Sequence, residues 1–203
     1  MRRRLLTPHP GLSTGIGYYL SGMEEVRSQL SAAVKTIPDD LIGKPAFLGA
    51  HSIGGLVLHI GEAEWFWMQM VVAGHQLTEE DKKAPYWDVL DDLERVTRNS
   101  YTTEFCLNEI DLIRNQTRDV LFSYNDKDLE RIITYERGGE TTEYNLRWIL
   151  HRLIDHEAQH KGQILMLKRL MALKGRHSVA ARRSIYARRA ATECRPYSWS
   201  KFC

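Results

Sequence analysis

Four long segments with apolar residues at helical spacing constrain this 203-residue chain more than any other feature. Leu20, Met23, Val26, Leu30 and Val34 recur every three or four residues, which predicts a helix over Tyr18–Ile37 that Pro38 stops. Ser52 is a candidate N-cap for a second helix running to Ala73 and closed by Gly74. A third fits Thr102–Phe122, with Phe105, Leu112, Ile113 and Val120 among its apolar positions. A fourth runs from Asn145 to Leu173 and ends at Lys174-Gly175. Each such helix must hide one face, so four of them in a single domain imply an all-α fold, a four-helix bundle. Between the third and fourth, Ile132–Tyr135 and Thr141–Tyr144 flank Gly138-Gly139, which predicts a small β-hairpin or an extended loop. The polar stretch 75–100 has room for a short helix over Trp87–Val96.

The formal charge of +2 is unevenly spread. Residues 176–203 hold seven Arg or Lys against one Glu, and Arg2, Arg3 and Arg4 add to the front, so the body between is acidic. That balance argues against a nucleic-acid groove in the core, and no specific nucleic-acid partner is expected. The basic tail lacks a sustained apolar face and reads as an added helix or a disordered appendage. Three cysteines at irregular spacing, Cys106, Cys194 and Cys203, make no disulfide framework and suit a reducing cytoplasm. The leading arginines are not followed by an apolar stretch, so no signal peptide is expected, and no apolar run approaches the roughly 18 residues that span a bilayer.

The fourth helix carries the chemistry. His156 and His160 are four apart and stack on one face, where both rings can reach one ion. At roughly 100° per residue, Ile149, Leu153 and Leu167 share that face, whereas His151 points to the far side. On the second helix, His59 lies with Ala63, Phe66 and Met70 on the inward face. Three inward imidazoles either form separate hydrogen bonds in the core or share a divalent ion, and an unpartnered buried ring costs about 1–3 kcal/mol. Neutral imidazole is a preferred ligand for zinc, nickel, copper and iron. Three nitrogens leave a coordination position open, as a working metal requires. His9, His75 and His177 read as solvated, His51 as a turn residue able to approach the site mouth, and Trp65, Trp67 and Trp148 as packing.

The stretch Ser52-Ile53-Gly54-Gly55-Leu56-Val57-Leu58-His59-Ile60-Gly61-Glu62, followed after the hairpin by Asp155-His156-Glu157-Ala158-Gln159-His160-Lys161-Gly162-Gln163-Ile164, resembles the DinB/YfiT-like superfamily of metal-dependent enzymes. The resemblance covers residues 12–174 and assigns the metal triad to His59, His156 and His160. Gln159 departs from a histidine often found there, at a position outside the triad. The resemblance implies an up-down-down-up bundle, frequently a homodimer, with bound zinc or nickel. It also implies activation of a low-molecular-weight thiol, such as bacillithiol or mycothiol, for transfer or isomerisation on a small-molecule substrate. On this reading residues 12–174 are the metal-binding bundle and 175–203 a basic C-terminal tail.

Glu62, Arg152 and Gln163 lie within about one turn of the three histidines and are candidates for orienting ligands or substrate. The ion would activate either a thiol or a water, giving transfer or hydrolysis. His156-Glu157-x-x-His160 also matches the zincin pattern, but Gln163 and Met166 stand where the longer metzincin motif needs glycine and histidine. A further alternative is a non-catalytic, metal- or ligand-binding stress-response bundle.

Overall fold

The computed structural model describes residues 3–177, so the tail beyond His177 lies outside the described residues. The first helix, α1 (Thr14–Val34), starts where a remote carboxylate meets its exposed amides. Asp126 accepts from the Gly15 amide at 2.9 Å, the Ile16 amide at 3.0 Å and the Ser13 hydroxyl at 2.6 Å. This cap comes from a segment distant in sequence, which is why the helix begins before Tyr18. Gly15 is required by proximity, since a Cβ there would lie 2.9 Å from Asp126 Oδ1.

A single turn, α2 (Asp39–Ile42), precedes α3 (Ile53–Trp65). Ser52 caps α3 by accepting from the Gly55 amide at 3.0 Å, and Thr102 caps α5 (Thr103–Leu121) through the Phe105 amide at 3.0 Å. The second helix does reach Val72, but Phe66–Val72 is wound as a π-helix. The helix expected over Trp87–Val96 is instead a 3₁₀ turn at Val89–Asp91 and a single turn, α4 (Arg95–Arg98).

The hairpin forms as a two-stranded antiparallel ladder, β1 (Ile132–Arg137) and β2 (Glu140–Asn145), from Ile132 opposite Asn145 to Arg137 opposite Glu140. Gly138 and Gly139 close it with φ of +60° and +83°, the pair of positive values a tight primed turn needs. The last helix, α6 (Leu146–His177), runs through Gly175 instead of ending there. One glycine costs a helix only about 1 kcal/mol relative to alanine, too little to stop it.

Side-chain pairings set the helix directions. Ile154 lies against Gly22, Lys161 donates to Gln29 and Lys168 to the Ala33 carbonyl, so α1 and α6 run parallel. Ile110 and Ile113 lie on Gly61, Arg114 on Glu64, and Tyr124 donates to the Val72 carbonyl, so α3 and α5 are also parallel. Thr103, at the start of α5, donates to the Ile37 carbonyl just past the end of α1, so the two pairs oppose. The bundle is up-down-down-up, as expected.

The core is divided. One apolar cluster joins Leu30 and Val34 of α1 to Ile53–Ile60 of α3, Cys106–Ile110 of α5 and Ile164 and Leu167 of α6. The other joins Ile16–Met23 of α1 to Trp67–Val72, Leu121 and Leu146–Leu153. Between them lies a buried ionic layer with one residue from each long helix. Arg27 Nε donates to Glu157 at 2.6 Å and its Nη2 to Glu64 at 2.8 Å. Arg114 Nε donates to Glu64 at 2.6 Å and its Nη2 to Glu157 at 3.0 Å. Arg27 Nη1 also donates to the Ile110 carbonyl at 2.7 Å. Two cations and two anions balance in a buried layer, and Arg27 also reaches the exposed Asp111 at 3.6 Å.

Burial alone would raise the Glu64 pKa, but the charges of Arg114 and Arg27 and the hydrogen bonds from Arg114 outweigh it and hold the value to about 2. Removing one partner strands the others: Arg114→Leu should lower unfolding free energy in urea by about 3–5 kcal/mol. A depressed carboxylate pKa stabilises the fold above its ordinary value of 4.5 and ceases to do so as pH falls through about 2. The stability difference between the protein and Glu64→Gln should therefore be constant above about pH 5 and shrink on acidification from 4.5 towards 2.

Candidate metal centre

α3 is apolar around nearly its whole circumference, and every residue from Ile53 to Trp65 is buried except Glu62. That packing carries His59 inward to face His156 and His160 of α6. The three residues are 6%, 4% and 2% exposed, and one donor atom from each lies within 4.8 Å of the others. Ring centroids are 5.2 Å apart for His59 and His156, 5.1 Å for His59 and His160, and 4.4 Å for His156 and His160.

Hydrogen bonds decide which nitrogens face inward. His59 Nδ1 donates to Glu62 Oε2 at 2.9 Å, and His160 Nδ1 donates to Gln163 Oε1 at 2.8 Å. In neutral rings this leaves Nε2 of both as a lone pair. His59 Nε2 is buried without a hydrogen-bond partner, and His160 Nε2 lies 3.0 Å from His156 Nε2. An orphaned ring nitrogen beside two more is costly as a core contact and well suited to a divalent ion. The donor set fits the metal.

The electrostatics keep the two α6 rings neutral. Burial, then the neighbouring His160 and His59, hold the His156 pKa well below its ordinary value. Burial and His59 bring His160 to about 4, against a smaller opposing effect of the Gln163 hydrogen bond. Neutral imidazole is the form that ligates.

Glu62 and Gln163 thus hold the Nδ1 protons of two of the three rings. Arg152 donates to Asp155 at 3.1 Å, and its charge is near enough to His156 and His160 to disfavour their protonation. His151 is exposed on the opposite side of α6. His51 is half-buried, and burial followed by His59 lowers its pKa against Asp91, which places it near the centre. Trp65 and Trp67 are buried packing residues, whereas Trp148 is 43% exposed and ringed by Trp67 and Tyr144.

The zincin alternative fails on Glu157. Its carboxylate is committed to Arg27 and Arg114 in the ionic layer and is not a base beside the histidines. Sequence reading missed that layer. Its signal was present, because Arg27 falls on the stripe of Leu20, Met23, Leu30 and Val34, and Arg114 on that of Leu107, Ile110, Thr117 and Leu121.

Residues 23–164 match the family model of the DinB superfamily. The chain belongs to the DinB superfamily. No curated protein matches its sequence. Among solved structures, it is similar to YfiT from Bacillus subtilis, described as a probable metal-dependent hydrolase with an unusual four-helix bundle topology. The TM-score is 0.55 at 14% identity, covering 85% of this chain and 93% of YfiT. It is also similar to the colibactin self-resistance protein ClbS, solved in complex with double-stranded DNA. There the TM-score is 0.51 at 16% identity, covering 75% of this chain and 94% of ClbS.

The ClbS complex corrects the exclusion of nucleic acid drawn from charge. A protein of similar fold is seen with duplex DNA, so the partner expectation built on an acidic body does not stand. Duplex binding depends on where Lys and Arg sit on the surface, which a net charge does not report. Among the described residues no helix is long and apolar enough to cross a membrane.

The hydrogen-bond pattern predicts tautomers. In metal-free protein, long-range ¹⁵N–¹H spectra should show His59 and His160 protonated on Nδ1 and not on Nε2. His160 should remain neutral through pH 5 and gain a second proton only near pH 4.

Proposed function

We propose that this DinB-superfamily chain is a metal-dependent hydrolase whose divalent ion, zinc or nickel, is held by His59, His156 and His160. The observation that carries the reading is the orphaned Nε2 of His59, turned towards the two α6 rings while the Nδ1 protons of His59 and His160 are occupied elsewhere. When bound, such an ion lowers the pKa of a coordinated water or thiol and makes a nucleophile available near neutral pH.

The chain's own residues supply the setting. Glu62 and Gln163 fix two ring orientations and strengthen the rings as donors. Burial between the helices keeps His156 and His160 neutral and limits competing water. Arg152, partly buried at the edge of the site, offers positive charge to an anionic group on a substrate. Likeness to YfiT favours hydrolysis. Thiol transfer is the second reading, favoured by a donor set of neutral nitrogens that leaves the ion's full charge for an incoming thiolate.

One set of measurements tests both. Zinc or nickel should bind with one equivalent per chain, and His156→Ala or His160→Ala should abolish uptake while His151→Ala retains it. Equal loss in all three would refute the assignment. With cobalt in the site, hydrolysis of a model ester that stops on chelation supports the hydrolase. A sulfur-to-metal charge-transfer band on adding a low-molecular-weight thiol, without ester hydrolysis, replaces it with thiol transfer. Stoichiometric metal with neither signal leaves a non-catalytic bundle.

A further inference from the structure

Glu62 faces two ways. One carboxylate oxygen accepts from His59 Nδ1 at 2.9 Å, and the other accepts from the backbone amide of Asp88 at 2.6 Å. Asp88 belongs to none of the four long helices. It lies in the excursion between the π-wound end of α3 and α4, which covers the outer flank of α3 where Glu62 emerges. Aromatic contacts seat that excursion: Trp65 of α3 meets Trp87 edge-on at 5.9 Å and Tyr86 at 6.2 Å. The Arg95 guanidinium donates to the Trp87 carbonyl and ties the strap to α4.

The backbone at Asp88 is left-handed, with φ of +48° and ψ of +33°. Aspartate and glycine tolerate that region, whereas β-branched residues do not. The side chain of Asp88 is exposed, so its contribution to Glu62 is made by the main chain. A carboxylate hydrogen-bonded to His59 alone could swing to other rotamers. With the second oxygen held by the Asp88 amide, the carboxylate is fixed and His59 with it.

We propose that Asp88 is a positioning residue for the metal centre: its backbone N–H, presented by the strap 84–92, locks Glu62 against His59, so that loading of the ion and seating of the strap stabilise each other. The inference rests on the metal-binding reading above. Outer partners of ligating histidines typically alter metal affinity by about 10–100-fold, and a coupling between two events acts equally in both directions.

The test combines zinc titration calorimetry with amide hydrogen exchange at residue 88. Asp88→Gly keeps the N–H and the left-handed backbone and should bind zinc as the unaltered protein does. Asp88→Val disfavours that backbone and should bind about tenfold more weakly. Zinc should slow exchange of the Asp88 amide in the unaltered protein and leave it unchanged in Glu62→Ala, with the Gly55 amide at the α3 cap serving as the control for global stability. Should Asp88→Val fail to fold, the exchange comparison decides by itself. Stoichiometric zinc binding with no change in Asp88 exchange, or equal affinity in Asp88→Gly and folded Asp88→Val, overturns the proposal while leaving the metal reading intact. An unaltered protein that takes up no divalent ion overturns both.

Discussion

The buried exchange of hydrogen bonds among Arg27, Glu64, Arg114 and Glu157 is the constraint around which the bundle is arranged. Each long helix contributes one charge, so no helix can slide or rotate without stranding an ion away from water. Such a network is a poor source of net stability compared with an apolar core of the same volume. Here it acts as a register device, since the four partners meet in one alignment of α1, α3, α5 and α6. Apolar side chains alone would permit neighbouring alignments, because leucine against isoleucine is satisfied in more than one way.

That layer also sets the level of the histidine cluster. Glu157 follows His156 directly on α6, and Glu64 lies five residues beyond His59 on α3. Aligning the carboxylates with Arg27 and Arg114 therefore fixes α3 and α6 against each other lengthwise, which brings the imidazoles together. Glutamates and histidines on the same helices point in different directions, one set into the ionic layer and the other towards the α3–α6 seam. The two groups have opposite needs. Glu64 is held charged by the guanidinium groups, whereas His156 and His160 are held neutral by burial and by their histidine neighbours.

The fourth side of α3 completes the arrangement. A bundle helix ordinarily leaves one face to water, but α3 is covered there by the strap that carries Tyr86, Trp87 and Asp88. Its single incompletely buried residue, Glu62, is met by a main-chain amide. The long connection between α3 and α5, which the parallel course of those helices requires, is thereby used as structure around the site.

Much of this was legible in the chain itself. Helical periodicity, the cap at Ser52, the paired glycines of the hairpin and the i, i+4 histidines are local signals, written in spacing and in backbone preference. They determined the bundle, the hairpin and the inward face of each histidine. Tertiary structure decided what depends on residues far apart in sequence: Asp126 starting α1, Arg27 and Arg114 claiming Glu157 from its motif, and Asp88 reaching Glu62. A charged residue on an apolar stripe announces that it needs a partner, but only the packing of four helices determines which one it meets, because that choice rests on distances between helices and not on positions along one.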